Sequence, residues 1–209
     1  MSMHAKVLGP AQKQALRRLA PVLCPRGFYL AGGTAVALHL GHRKSEDLDW
    51  LTAEPLADPL AWVEVLRDAG CPLTEPVPGR GVLHGSVAGV RVSLLQYSYP
   101  LLEPLALWPA MSCQLASLTD LAAMKLLALT QRGLKRDFVD VYALALKHRA
   151  LPELAEAYCR KFRVQDTSTL LYGLTYYDDA EKEARPRMLW KDDWPRIKKS
   201  LRQWVREMV

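Results

Sequence analysis

The chain has 209 residues, of which 50% are hydrophobic and 24% are charged. This is the composition of a folded globular protein, and it excludes a chain dominated by long disordered segments. The net charge of +6 is uneven, because residues 1–110 carry ten Lys and Arg against nine Asp and Glu, whereas residues 111–209 carry 18 against 13. The excess favours a polyanionic partner such as nucleic acid, although basic side chains that only solvate helix faces give the same count.

The cysteine spacing and the hydropathy pattern indicate the compartment. Cys24, Cys71, Cys113 and Cys159 stand far apart and form no CxxC pair, so we expect reduced thiols rather than a zinc site or a disulfide framework. The N-terminal stretch MSMHAKVLGP has no apolar core of a signal peptide, and no run of about eighteen apolar residues follows. We therefore expect a cytoplasmic protein without a membrane partner.

The first half of the chain predicts a small α/β domain over residues 1–110. An amphipathic helix over 10–23 is followed by a buried strand over 28–31, a glycine pair and a short helix that ends at Gly41. A second strand over 47–52, a helix over 58–68 and a hairpin with strands at 82–87 and 90–97 come next. This order of elements is typical of a small mixed sheet.

The second half predicts a helical bundle, which we assign to a separate domain over residues 111–209. Three prolines at 100, 104 and 109 mark the linker. The helices predicted from apolar periodicity cover 117–133, 137–148, 151–163, 167–174 and 193–208, with an aromatic and charged connection over 175–192.

A glycine pair at the end of the first strand has the features of a phosphate site. Gly32 and Gly33 open the short helix, where free backbone N–H groups bind phosphate oxygens, and Thr34 adds a hydroxyl. A tight structural turn with a threonine cap explains the same residues. Whether this is a phosphate site or only a structural turn depends on the residues that lie beside it.

Two aspartates lie on the strand that follows. Asp47 and Asp49 project from one face, while Leu48 and Trp50 face the core. Such a pair binds one or two divalent ions, although a strand with one solvated face has the same pattern. The glycine turn and the aspartates come close if the two strands are antiparallel neighbours, which the short connecting helix favours.

The combination resembles the polymerase-β-like nucleotidyltransferases, which have a glycine pair or Gly-Ser followed by DxD. The longer string GGTAVALHLGHRKSEDLDW resembles the AbiEii/AbiGii abortive-infection toxin family. The resemblance implies a polymerase-β-like core and Mg²⁺- or Mn²⁺-dependent transfer of a nucleoside monophosphate from an NTP such as ATP or GTP. In that family pattern, Asp47 and Asp49 bind the metal, and the nucleotide-binding residues are Gly32, Gly33, Thr34, Arg43, Ser45 and Lys125.

The helical half offers further candidates. Ser117 and Asp120 form an S-x-x-D capping box, which explains Asp120 structurally. Lys125 interrupts the apolar run LAAMKLLAL, so it either extends to solvent or meets an anion such as a nucleoside triphosphate. Asp137 and Asp140 share one face in the next helix, where acidic residues also simply suit the helix dipole.

The AbiEii-like family has a lysine in the middle of such a helix and an RDxxD-like motif at the start of the next. The resemblance therefore implies catalytic roles for Lys125, Asp137 and Asp140 beside Asp47 and Asp49. The stretch LTYYDDAEKEARPRMLWKDDW is also similar, so the resemblance covers nearly the whole chain. It further implies an RNA acceptor, such as the 3′ end of tRNA, and an antitoxin partner.

One position departs from the wider superfamily, which places a third carboxylate on a later strand where this chain has Ser93. A hydroxyl cannot replace a carboxylate as a base or a strong metal ligand. We expect Asp137 or Asp140 to take that role, and the alternatives are slow catalysis or a protein that only binds nucleotide. A DxD glycosyltransferase shares the metal–diphosphate chemistry, but it does not require the glycine pair or Lys125.

Overall fold

The computed structural model describes residues 3–208. Its strands are β1 (Tyr29–Ala31), β2 (Leu48–Thr52), β3 (Thr74–Gly79), β4 (Val82–Val87), β5 (Val90–Gln96), β6 (Ala106–Trp108) and β7 (Cys113–Leu115). Its α-helices are α1 (Pro10–Leu23), α2 (Gly32–Leu40), α3 (Ala61–Asp68), α4 (Leu118–Gln131), α5 (Lys135–Lys147), α6 (Leu151–Phe162), α7 (Ser168–Thr175), α8 (Asp178–Glu181) and α9 (Trp194–Arg206).

The strands form one mixed sheet in the order β3-β4-β5-β2-β1-β7-β6. β1 pairs antiparallel with β2 and parallel with β7, and β2 pairs parallel with β5. The predicted hairpin of β4 and β5 is confirmed, and its turn uses positive φ angles at Ala88 and Gly89, as tight hairpin turns require. The predicted α/β fold class is therefore confirmed.

Three strands of the sheet did not follow from the sequence. β3 carries Pro76 and Pro78, which argue against a central strand but are tolerated at an edge, and β3 is an edge strand. β6 and β7 are three residues each; β6 lies in the predicted linker, and β7 lies in the predicted helical domain just before its first predicted helix. The predicted boundary at residue 110 falls between these two strands, and the division into two domains stays a prediction.

The helices of the second half agree with the predicted ranges to within two residues at each end, and α8 lies in the connecting stretch. Ser117 caps α4 as predicted, since its side chain accepts the N–H of Asp120. Asp120 is fully buried and also lies 2.7 Å from Lys161 Nζ of α6. None of the helices in residues 3–208 has the length and apolar character needed to span a membrane.

Helix α2 joins the sheet to the helical half. All seven of its residues from Thr34 to Leu40 are buried, and it packs against β1 and β2 on one side and α4 and α5 on the other. A helix that is apolar all round must be covered on every side. Because α4 and α5 supply part of that cover, their charged residues lie beside the start of α2.

Candidate active site

The two motifs of the first half lie side by side. Because β1 and β2 are antiparallel neighbours, Asp49 pairs with Ala31, the residue immediately before α2. The prediction that the two strands are antiparallel neighbours is therefore confirmed. Within residues 3–208, no side chain caps the first turn of α2, so its N–H groups remain available to an anion.

The two glycines allow charged side chains to lie against this helix start. Gly32 has a φ of +64°, and a Cβ added there would lie 2.2 Å from Asp49 Oδ2. A Cβ on Gly33 would lie 2.4 Å from an Nη atom of Arg43. A side chain at either position would therefore displace Asp49 or Arg43, and Arg43 is itself held by Asp140.

Thr34 and Ser45 connect α2 to the beginning of β2. The buried Thr34 hydroxyl lies 2.8 Å from Ser45 Oγ and also donates to the carbonyl of Asp47. Gln12 of α1 donates to the carbonyl of Ser45 at 2.7 Å. These contacts place both hydroxyls in the support of Asp47, rather than leaving them free for a ligand.

Asp47 and Asp49 are neighbouring carboxylates whose negative charges are only partly offset by the groups around them. Burial raises the pKa of Asp49, and the negative charge of Asp47 raises it further, while the Ser93 hydroxyl lowers it. Asp47 Oδ1 lies 2.8 Å from Arg91 Nε at ion-pair distance, but this buried oxygen has no aligned hydrogen bond within residues 3–208. Two adjacent acids, of which Asp49 has its pKa raised by burial, favour a bound cation.

The donor set fits a magnesium ion. Among residues 3–208 no group of three or more His, Cys, Asp and Glu side chains forms a complete metal cage. Mg²⁺ in nucleotide-using enzymes is characteristically held by one or two carboxylates, with water and substrate phosphates as the other ligands. Asp47 and Asp49 provide that number of carboxylates at the rim of an open cleft.

Asp140 is the centre of a buried ion-pair network. Its Oδ1 accepts from His42 Nε2 at 2.7 Å and from Arg43 Nε at 2.6 Å. Its Oδ2 accepts from an Nη atom of Arg43 at 2.8 Å and lies 2.8 Å from Lys125 Nζ. These contacts use the four lone-pair sites of the carboxylate, which leaves none for a metal ion.

The pKa values within this network follow from its charges. Burial alone would raise the pKa of Asp140, but the charges of Arg43 and Lys125 and the hydrogen bonds from Arg43 and His42 hold it well below the usual range. Burial lowers the pKa of His42 against the opposing effect of Asp140, so the imidazole is neutral at pH 7.

Asp137 extends the network toward the cleft. Its Oδ1 lies 2.7 Å from Lys125 Nζ, and its Oδ2 lies 3.1 Å from Arg132 Nε. Lys125 therefore meets two carboxylates and does not extend into solvent. The contacts of Asp137 and Asp140 speak against the expected role of a third metal-binding acid and for a role in holding cations.

The cleft beside these groups has a volume of about 680 Å³. Its walls include all seven of the predicted site residues in the first half, together with Lys125 of α4. Arginines that the sequence analysis did not select also line it, at positions 91, 132, 136 and 187. A cavity of this size with convergent charges is typical of a small-molecule site.

The position of the missing third carboxylate is now defined. Ser93 pairs with Asp49 across β2 and β5, as the resemblance implied, and lies opposite His84 of β4. His84 Nδ1 lies 3.1 Å from Ser93 Oγ. The sequence analysis missed His84, although the register imposed by a two-residue turn at Ala88 and Gly89 would have paired it with Ser93.

The family model of nucleotidyl transferase AbiEii toxins of type IV toxin–antitoxin systems matches residues 14–79 and 88–206. The chain belongs to this family. It is therefore a nucleotidyltransferase, as the glycine pair and the DxD motif implied, and this assignment excludes the glycosyltransferase alternative. The chain is also 30% identical to the uncharacterized protein aq_aa25 of Aquifex aeolicus over 199 residues, which are 95% of this chain and 96% of that protein.

Solved structures share the fold of this AbiEii-family chain. JHP933 from Helicobacter pylori is 17% identical, with a TM-score of 0.59 and coverage of 95% of this chain and 88% of that one. MenT4, a nucleotidyltransferase toxin from Mycobacterium tuberculosis H37Rv, is 14% identical, with a TM-score of 0.51 and coverage of 92% and 86%. These likenesses support the polymerase-β-like fold.

We predict that Gly32→Ala displaces Asp49, and that Gly89→Ala is the matched control. Both glycines have positive φ, so alanine costs about 1–2 kcal/mol of unfolding free energy at each for backbone strain alone. A Cβ on Gly89 would meet no atom of residues 3–208 within 4 Å, whereas one on Gly32 would collide with the Asp49 carboxylate. Urea denaturation should show a larger loss for Gly32→Ala, and equal losses would contradict the close approach.

We predict that Asp140→Asn destabilises the protein by about 3–5 kcal/mol, because Arg43 and Lys125 remain buried without their partner. Asp179→Asn, which removes an exposed carboxylate beside Lys182, should have little effect.

The stability that Asp140 provides should also depend on pH. Since the folded-state pKa of Asp140 is lowered, its contribution to the free energy of unfolding is fully present above the unfolded pKa of about 4 and is lost as pH falls through the folded value. Urea titrations at several pH values measure this difference.

Proposed function

We propose that this chain transfers a nucleoside monophosphate from an NTP to an RNA acceptor, the 3′ end of a tRNA, with Mg²⁺ or Mn²⁺ as the metal ion. We further propose that it acts as a toxin whose activity an antitoxin protein controls. The observation that carries the proposal is the cleft in which the uncapped start of α2 lies beside Asp47 and Asp49. This arrangement suits a triphosphate bound to a divalent ion.

In this proposal the N–H groups at Gly32 and Gly33 bind phosphate oxygens of the NTP, and Asp47 and Asp49 hold the divalent ion. When bound, that ion neutralises phosphate charge and lowers the pKa of an attacking hydroxyl. Thr34 and Ser45 position Asp47 through the contacts at the start of β2. Because these hydrogen bonds hold the backbone at Asp47 in one position, little rearrangement of the site is required when substrate binds.

Arg43 and Lys125 contribute charge to the same cleft. Arg43, Lys125 and Arg132 together face Asp137 and Asp140, so three cations oppose two carboxylates, and one positive charge remains in excess. We propose that the two aspartates act as positioning residues, which hold the cations at the cleft wall in one geometry. This replaces the expectation that either aspartate serves as a third metal ligand or base.

A basic face of α9 supports a nucleic-acid acceptor. Lys199, Arg202 and Arg206 are exposed, and within residues 3–208 none of them has a carboxylate partner at ion-pair distance. A row of unpaired cations along a helix attracts a phosphate backbone without reading its sequence. It accounts for part of the positive excess in the second half of the chain.

We predict that the protein transfers label from at least one of the four α-labelled NTPs to total tRNA in the presence of Mg²⁺. Asp49→Asn should lower the rate by on the order of a hundredfold or more, because the amide is a weaker metal ligand than the carboxylate. Asp179→Asn, on the exposed surface, should transfer at the wild-type rate. Gel electrophoresis of the labelled RNA measures the product.

Other outcomes distinguish the alternatives. NTP binding without transfer to any RNA or protein would favour a protein that only binds nucleotide. Transfer to a protein acceptor alone would retain the chemistry and overturn the RNA acceptor. Wild-type transfer by Asp49→Asn would contradict the proposed metal site.

We predict that Mg²⁺ or Mn²⁺ raises the melting temperature of the wild type and not that of Asp49→Asn. Protons and metal ions compete for Asp49, whose pKa is raised, so the metal-dependent increase should grow as pH rises through that pKa. Without metal, the ionised Asp49 costs stability above its unfolded pKa, since the folded state retains the proton to higher pH. Asp49→Asn should therefore be at least as stable as the wild type at pH 8 in EDTA, and a large loss would contradict this account.

A further inference from the structure

A segment near the C-terminus crosses to the loop before β2 and forms part of the cleft wall. We call residues 183–190 the strap. The N–H of Lys44 donates to the carbonyl of Arg187 at 2.8 Å, and the N–H of Leu189 donates to the carbonyl of His42 at 2.8 Å. These bonds form a short antiparallel bridge between the strap and the loop before β2.

The other end of the strap is attached to α5. The N–H of Lys135 donates to the Glu183 carboxylate at 2.6 Å, and Lys135 Nζ donates to the carbonyl of Glu183. Lys135 is itself buried although it is charged. The strap is thus held at both ends by hydrogen bonds to elements that also carry the site, and Ala184, Pro186 and Arg187 line the cleft.

Most cations of the cleft are already paired with carboxylates. Arg43 and Lys125 bind Asp140, Arg132 binds Asp137, and Arg91 lies against Asp47.

Two other arginines in the cleft have different surroundings. Arg136, in the first turn of α5, and Arg187, on the strap, are exposed, and neither has a carboxylate within ion-pair distance in the part of the chain that the structure describes. Their charges are therefore available to a ligand.

A nucleoside triphosphate brings several negative charges to a cleft that already contains Asp47 and Asp49. Cations already paired with carboxylates offset little of this charge, whereas a free guanidinium binds phosphate through parallel N–H donors. We propose that Arg187 and Arg136 bind the β and γ phosphates of the NTP, an inference that rests on the proposed function. The hydrogen bond from Lys44 to the Arg187 carbonyl fixes the backbone of Arg187 at the cleft wall before the ligand arrives, so binding has to order only the side chain.

The test compares Arg187→Ala with Arg185→Ala, two residues away on the same strap. Arg185 is exposed and donates to the carbonyl of Asp192 at 2.6 Å, but it does not line the cleft. Each change removes one positive charge from the strap, but only Arg187→Ala removes a charge from the cleft wall. Calorimetric titration of each variant with the four NTPs in Mg²⁺ measures the dissociation constants.

We expect Arg187→Ala and Arg136→Ala each to weaken binding of the preferred NTP about tenfold, the loss typical of one charge-assisted contact. Binding of the corresponding nucleoside monophosphate should change less than twofold, because it has no β or γ phosphate. Arg187→Lys should lose part of the affinity, since it keeps the charge and not the planar donor pair. Arg185→Ala should bind like the wild type.

The results separate this inference from the proposed function. Equal NTP binding by Arg187→Ala and Arg185→Ala, in a wild type that binds and transfers NTP, overturns the assignment of Arg187 and leaves the proposed function in place. A higher KM for tRNA with an unchanged NTP dissociation constant also overturns it, since Arg187 would then contact the acceptor. A wild type that binds no NTP overturns both.

Discussion

The buried contact between Asp140 and Arg43 holds the whole site together. Asp140 belongs to α5 in the helical half, and Arg43 belongs to the loop before β2 in the sheet. A buried charge without a partner costs several kcal/mol, so the two halves of the protein adopt the single arrangement that satisfies both groups. His42 and Lys125 complete the coordination, and the loop that leads to Asp47 is thereby fixed.

This contact explains why glycine, rather than a residue with a side chain, stands at position 33. The Arg43 guanidinium, which binds Asp140, lies against Gly33, and the Asp49 carboxylate lies against Gly32. A Cβ on Gly33 would also lie 3.6 Å from Asp140 Oδ2. Because the Cα atoms of adjacent residues are only about 3.8 Å apart, the carboxylates of Asp49 and Asp140 are at most about 13 Å apart. The glycines make room for the Asp49 carboxylate and the Arg43 guanidinium, and within residues 3–208 no side chain caps the N–H groups of this helix start.

The network also determines how charge is distributed in the cleft. Asp137 and Asp140 neutralise most of the positive charge of Arg43 and Lys125, which the sequence analysis selected as nucleotide-binding residues. We propose that Arg136 and Arg187, which the sequence analysis did not select, provide the free charge that a triphosphate requires. Their positions depend on α5 and on the strap, which is remote in sequence from the glycine pair and the DxD motif.

Much of this protein followed from the sequence because the relevant signals are local. The helices of the second half come from apolar periodicity, and the β4–β5 hairpin comes from alternation around Gly89. The string GGTAVALHLGHRKSEDLDW, with Lys125 and the RDxxD-like motif, also indicated the AbiEii family, which the family model confirms.

What only the tertiary structure decided is the pairing of residues that lie far apart in the chain. Sequence spacing cannot show that Lys125 meets Asp137 and Asp140 rather than a ligand, because those contacts depend on how α4 and α5 pack against α2. It also cannot place Arg187 in the cleft, since a backbone bridge to the Lys44 loop puts it there. Local chemistry therefore selected the site, and long-range packing decided which of its charges remain available for substrate.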